Sequence, residues 1–410
     1  MSGQVYDISP AEGGVLAPAG FAAAGVAAGI KKRPGARDVC VLDAGTPVPS
    51  AAVFTVNTMA APPVEVSRAA LADGLLRAWV INAGNANACT GEPGLADARA
   101  MAARAAAAFG CDPSDVGVAS TGVIGVPLPM DRALAGIEDA AGALGTSAEH
   151  DTAAAEAIMT TDTFVKQAAF AIEVDTTVYT VGGMAKGSGM IEPNMATMLA
   201  FVTTDAPLTP GACSALLGTA VASTFNRITV DGDTSTNDTC ALMASGAAGG
   251  ESIGPGHPHL PAIAAAITRT CAELARMIVR DGEGATKLVE VTVCGAASEQ
   301  DAEAAAREIA NSPLFKTALF GRDANWGRVA MALGNSGVAV DPSRVEIVFA
   351  GITTCEGGTA VAFSEEEAAK ALARDELEVR VDLHLGPAEA TVLTCDLTYE
   401  YVRINGEYRT

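Results

Sequence analysis

Residues 186–206 read KGSGMIEPNMATMLAFVTTDA, and two kinds of sequence meet inside this run. Its first half is rich in turn formers (Gly187, Ser188, Gly189, Pro193, Asn194), whereas Met198 to Val202 is continuously apolar, so a loop feeds directly into a buried strand. Thr197 stands at the junction. A threonine hydroxyl is a poor nucleophile without a base beside it, and one chemical solution is to free the α-amine of the same residue. If the Thr197 hydroxyl attacks the Ala196 carbonyl in a strained turn, an N-to-O acyl shift gives an ester, and water then releases a new N-terminal threonine. That amine can take the proton of its own hydroxyl, as in the N-terminal-threonine variant of the serine triad. The plain alternative is a threonine that begins a strand, a common place for the residue.

Acyl transfer also needs donors aimed at the oxyanion that forms on the attacked carbonyl. The run ASTGVIG, residues 119–125, has the composition for it: Gly122 lets backbone approach a ligand closely and Thr121 adds a hydroxyl. On its own the run is equally an ordinary glycine-containing turn.

The elements that must hold these residues alternate between helix and strand, which predicts a mixed α/β protein. Leu95 to Phe109 predicts an Ala-rich helix ended by Gly110, and Pro210 to Phe225 and Pro261 to Val279 each predict a helix opened by proline. Ser364 with Glu367 has the capping-box spacing for a helix to about Ala373. Strands are expected in Phe170 to Val181, Val345 to Ala350, Leu377 to Leu385 and Thr391 to Ile404, with strand character continuing through the closing YVRINGEYRT. From about Lys287 the order becomes strand, helix, strand, helix, strand, strand, which predicts a smaller C-terminal α/β subdomain.

Composition narrows the function. The 410 residues carry a formal net charge of -22, which leaves no basic face for nucleic acid and repels anionic membranes. Nine cysteines are scattered without a C-x-x-C pair, as expected of reduced cytosolic thiols, and four scattered histidines point to no zinc site. The apolar run Gly13 to Ile30 is followed, not preceded, by its basic residues Lys31 to Arg33, so a buried strand and turn is expected there instead of a secretory signal. A cytoplasmic location is expected. Lys186-Gly187-Ser188 is no phosphate loop, because the lysine precedes its glycine.

The motif GMIEPNMATML from Gly189, the STGVIG segment from Ser120, MTTDT from Met159, RDGEGATK from Arg280 and the closing YVRINGEYRT together resemble the self-cleaving ornithine acetyltransferase family of arginine biosynthesis. The resemblance runs from about Gly14 to Thr410. NANACTG from Asn85, TVDGDTSTND from Thr229 and GRDANWGR from Gly321 strengthen it, and their dense Asn, Asp and Thr predict buried hydrogen-bond networks around the cleft. Asp231 and Asp233 could imitate a metal site, but no metal is expected.

The resemblance implies cleavage between Ala196 and Thr197 into an α chain (residues 1–196) and a β chain (197–410), assembled as an α2β2 heterotetramer with stacked β-sheets flanked by helices. It implies Thr197 as nucleophile, Thr121 and Gly122 as the oxyanion hole, and Thr163, Lys186, Thr197, Glu283, Asn405 and Thr410 as substrate-binding residues. The substrates implied are N-acetylornithine and glutamate, without cofactor. Each carries an α-carboxylate, which the charge of Lys186 could hold, while an acid such as Glu283 suits the ammonium of ornithine. Use of acetyl-CoA as a second acetyl donor stays open. So do two alternatives: a self-cleaving amidase or aminopeptidase in which water replaces glutamate, and a non-catalytic amino-acid-binding protein whose chain stays whole.

Overall fold

The computed structural model describes residues 6–192 and 198–407. Among these residues nine strands are hydrogen-bonded into one sheet: β1 (Ile8–Ala11), β2 (Ala22–Val26), β3 (Val39–Phe54), β4 (Leu75–Asn85), β5 (Val116–Val123), β6 (Lys166–Val174), β7 (Thr177–Lys186), β8 (Leu199–Thr204) and β9 (Thr239–Ala244). The order is β1-β6-β7-β8-β9-β3-β4-β5, with β2 on the other edge of β3.

The 16-residue β3 folds this sheet into two stacked leaves. Its first half pairs with β2 and β4 and its last five residues pair with β9, with a register slip against β4 between Asp43 and Val48. Between the leaves, Trp79 of β4 meets Phe201 of β8 edge to face, ring centres 5.4 Å apart. Burial on both faces is why β8 reads as an unbroken apolar run: Leu199 and Phe201 enter the core between the leaves, Ala200 and Val202 the core under the helices Pro210–Ser223 and Leu260–Arg280. Gly91–Phe109 and Met130–Gly142 cover the outer face of the other leaf. The result is helix, sheet, sheet, helix, the stacked arrangement expected from the resemblance.

The helix signals in the sequence have local causes. The Thr209 hydroxyl accepts from the Ala212 amide at 3.2 Å with Pro210 in the first turn. Gly110 ends Gly91–Phe109 in the left-handed conformation. Ser364 caps Glu365–Ala371 by accepting from the Glu367 amide.

A second sheet begins at Leu288. Its strands are β10 (Leu288–Ala296), β11 (Glu346–Phe349), β12 (Ile352–Glu356), β13 (Thr359–Ala360), β14 (Glu376–Asp382) and β15 (Ala388–Cys395), in the order β13-β12-β11-β14-β10-β15. Alternate residues such as Val289, Val291 and Val293 face a core shared with Glu299–Asn311, Pro313–Phe320 and Trp326–Asn335.

One expectation is corrected. The Thr391 to Ile404 run is not one strand, for β15 ends at Cys395 and Tyr399–Glu407 is a helix. Aromatic and β-branched residues gave it strand character, but helical spacing satisfies more of its groups. The Thr398 hydroxyl accepts from the Glu400 amide at 3.1 Å, Arg403 pairs with Glu400 and Glu407 one turn either side, and Tyr401 and Asn405, four residues apart, donate to Asp231 and Glu283 respectively.

Candidate active site

Both leaves bring strand ends to one side of the fold. The parallel strands β8 and β9 begin there, the antiparallel β7 ends there with Lys186, and the parallel pair β4 and β5 ends there with Gly84, Asn85, Thr121 and Gly122. Ala196, Thr197 and Thr410 lie outside the described residues, so the site is built from what surrounds them.

At the end of β5 the ladder with β4 loses register: Asn85 stands opposite both Thr121 and Val123, and Gly84 opposite Gly122. Gly122 has φ +131°, and a β-carbon there would lie 2.4 Å from the Gly84 carbonyl carbon, so glycine alone fits. Asn237 binds this turn to the other leaf through its amide, which donates to the carbonyls of Ala86 (2.6 Å) and Ser120 (2.9 Å).

Lys186 is buried, 3% exposed, and makes no hydrogen bond or ion pair among the described residues. Burial lowers its pKa, while the nearby Asp162 carboxylate works the other way. Asp162 accepts from Gly187 N–H (2.8 Å), Thr160 N–H (2.9 Å) and the Lys166 ammonium (2.7 Å). Burial opposes its charge, but Lys186 and Lys166 offset that and hold the carboxyl well below the usual range.

Lys166, wholly buried, bridges Asp162 to Asp281. Asp281 in turn accepts from the Thr163 amide (3.0 Å) and the Thr163 hydroxyl, and its carbonyl accepts from the Ser188 hydroxyl (2.6 Å). Because the Thr163 hydroxyl proton is committed to a carboxylate, the exposed side of that oxygen can only accept from a ligand. Glu283 follows two residues later. Its amide donates to the Ser188 carbonyl (2.9 Å), its carboxylate accepts from Asn405 Nδ2 (2.8 Å), and a side chain at Gly189 would collide with it.

Hydrogen bonds thus link Thr163, Glu283 and Asn405 by way of Asp281 and Ser188. Lys186 lies near Asp162 with no hydrogen bond from its ammonium among the described residues, and three residues tie the region together: Asp162, Lys166 and Asp281. Sequence reading missed those three. Asp162 and Lys166 show helical i,i+4 spacing but no other local signal, and Asp281 is 115 residues from Lys166. Beside the network is a cavity of about 1300 Å³ that Gly84, Asn85, Val123, Asp162 and Thr163 help to line, next to the Thr121–Gly122 turn but without either of those residues in its lining. Lys31 lies on the same wall, packed on Gly84, and burial lowers its pKa to about 8 although Asp38 opposes the shift. Among the described residues no three His, Cys, Asp or Glu groups converge as a metal site would require, and no helix is long and apolar enough to cross a membrane.

Two stacked β-layers between helices, with the start of β8 on the same side of the fold as the glycine turn at Gly122, define the class as a mixed α/β protein of the stacked-sheet kind. The ArgJ family model matches residues 22–410. The arginine biosynthesis bifunctional protein ArgJ of Symbiobacterium thermophilum is 54% identical over 399 residues, which cover 97% of this chain and 99% of that protein. The protein of the same name from Geobacter sulfurreducens is 48% identical over 392 residues, 95% and 99% of the two chains. A crystal structure of the Bacillus halodurans ArgJ protein matches with 47% identity and a TM-score of 0.50, covering 51% of this chain and 98% of that one. The chain belongs to the ArgJ family.

Proposed function

We propose that this protein transfers the acetyl group of N2-acetyl-L-ornithine to L-glutamate through an acetyl ester on Thr197, after cutting itself between Ala196 and Thr197. The observation that carries the reading is the pairing of opposite demands around one cleft. Lys186 offers a buried ammonium, without a hydrogen bond or ion pair among the described residues, to a carboxylate, while Thr163 and Glu283 offer acceptors to an ammonium. An amino acid with a second amino group satisfies both. Family membership and the curated relatives' place in arginine biosynthesis support the same reading.

In this mechanism the Thr197 hydroxyl attacks the acetyl carbonyl and passes its proton to the residue's own freed amine. The oxyanion is held by the Thr121 hydroxyl and the Gly122 turn. Ornithine leaves, and the glutamate α-amine attacks the ester to regenerate Thr197. Residues 1–196 and 197–410 remain together as α and β chains of an α2β2 assembly, acting in the cytoplasm. The half-length match of the solved Bacillus halodurans chain agrees with a two-chain product.

A second donor, acetyl-CoA, is favoured by the cavity. Its volume of about 1300 Å³ exceeds what an acetylated amino acid fills, and Lys31, Lys32, Arg33 and Arg37 rim it in a chain of net charge -22.

The test incubates purified protein with glutamate and either acetylornithine or acetyl-CoA, and measures acetylglutamate alongside an intact-mass spectrum. Acetylglutamate equal to the ornithine released supports the transferase. Acetate without acetylglutamate favours the hydrolase, and one inert 41.2 kDa species favours the binding protein.

A further inference from the structure

Two carboxylates of one short segment grip the chain on either side of the Ala196–Thr197 bond, and they do so unequally. Upstream, Asp231 accepts from the amides of Met190 (2.6 Å) and Ile191 (2.7 Å), so both its oxygens are engaged. It holds Met190 at φ +59°, a left-handed backbone that a residue with a side chain rarely adopts. Downstream, Asp238 accepts from the Met198 amide at 2.8 Å through Oδ1 alone, one peptide bond from Thr197. Its Oδ2 is buried and has no hydrogen-bond partner among the described residues. The neighbouring Thr55 hydroxyl has committed its proton to the Ser235 carbonyl at 2.7 Å.

A buried carboxyl oxygen without a partner costs stability, and a site that keeps one needs a reason. The self-cleavage proposed above needs a group with these properties. The N-to-O shift must move a proton from the Thr197 oxygen to the Thr197 nitrogen, and the amine that later serves as base does not yet exist.

We infer that Asp238 is the proton-transfer residue of self-cleavage, anchored through Oδ1 on the Met198 amide with Oδ2 left to exchange a proton with Thr197. The inference rests on the reading that the chain is cut at this bond. The Thr197 oxygen bonds to the Ala196 carbonyl carbon, and the carbon–nitrogen bond to Thr197 breaks. The nitrogen receives the proton of Asp238 Oδ2 and leaves as an amine, while the hydroxyl proton released in the attack restores the Asp238 acid. Water then adds to the ester, releasing Ala196 as a carboxylate and returning the hydroxyl to Thr197. Burial pushes the Asp238 carboxyl well above the ordinary range, against the Met198 amide and Lys186, which favours the protonated form from which the step starts. Once the amine is free it takes over as base, and Asp238 has no further part in acetyl transfer.

The test follows cleavage of the full chain on a denaturing gel for wild type, Asp238→Asn and Asp238→Glu, with thermal melting as the check on folding. Asparagine keeps an acceptor for the Met198 amide but exchanges no proton, so cleavage slows by about a hundredfold or more. Glutamate keeps an acid and cleaves faster than asparagine, which also covers the case of an asparagine variant that fails to fold. Hydroxylamine, which intercepts an ester, leaves the Asp238→Asn rate unchanged, because the block precedes ester formation. Wild-type cleavage in Asp238→Asn, a glutamate variant as inert as asparagine, or rescue by hydroxylamine overturns the assignment. A wild-type chain that never cuts sinks the cleavage reading itself, a distinct result.

Discussion

The charges at the strand ends of the nine-stranded sheet and those along the rim of the six-stranded sheet meet water in opposite ways. At the strand ends the charges are dry: Lys166 is wholly buried between two carboxylates, and Lys186 is 3% exposed. Beside the six-stranded sheet, Arg276 reaches Glu290 and Glu376, and Arg280 reaches Glu376, with side chains 31% to 52% exposed. Water solvates the second set whether or not it pairs, so those pairs contribute little. The first set has lost that solvation and tolerates no missing partner. Loss of solvation, and not the sheet a charge belongs to, decides which of these pairs the fold depends on.

Substitutions can test that contrast, and the largest effect belongs to the nucleophile. Thr197→Ala is expected to leave a single 41.2 kDa species that forms no acetylglutamate, read by intact mass and product assay. Lys166→Met strands Asp162 and Asp281 together in a dry site. It should cost about 3–5 kcal/mol in a denaturant titration and raise KM for acetylornithine in whatever remains folded. Unchanged stability would show that these charges are hydrated after all.

Thr121→Ala should leave the fold intact and slow acetyl transfer roughly tenfold to a thousandfold, as losing an oxyanion donor does. A pH profile probes Lys186. Burial depresses its pKa below the ordinary 10.5, so the ammonium is lost earlier on the alkaline side than an exposed lysine's would be. KM for the carboxylate substrate should rise along that limb. Asp162→Asn removes the charge that opposes the depression and should move the limb to lower pH. Smallest of all, Glu376→Gln on the exposed set should change stability by less than about 0.5 kcal/mol and leave KM alone.

Much of the fold was legible because its causes are local. Pro210, Gly110 and the Ser364 cap act within a few residues, and the unbroken apolar run after Met198 announced a strand buried on both faces. The closing segment misled for the same reason: Tyr, Val and Ile in Tyr401 to Ile404 favour a strand locally, while the acids that draw Tyr401 and Asn405 into one helical row lie 170 and 122 residues away. The TVDGDTSTND run promised hydrogen bonds but not their direction. Only the folded chain shows Asp231 and Asp238 gripping the two flanks of the scissile segment while Asn237 holds the Ser120 carbonyl.

Sequence alone determined the chemistry on offer: a threonine at a loop-to-strand junction, a glycine-containing turn, and an acidic charge balance. Residue type sets what a group can donate, accept or attack. Tertiary structure decided which of those groups are dry and which are paired, because desolvation depends on neighbours brought from across the chain. That is why, among the described residues, the Lys186 ammonium is buried without a hydrogen bond and Asp238 Oδ2 is buried without a partner.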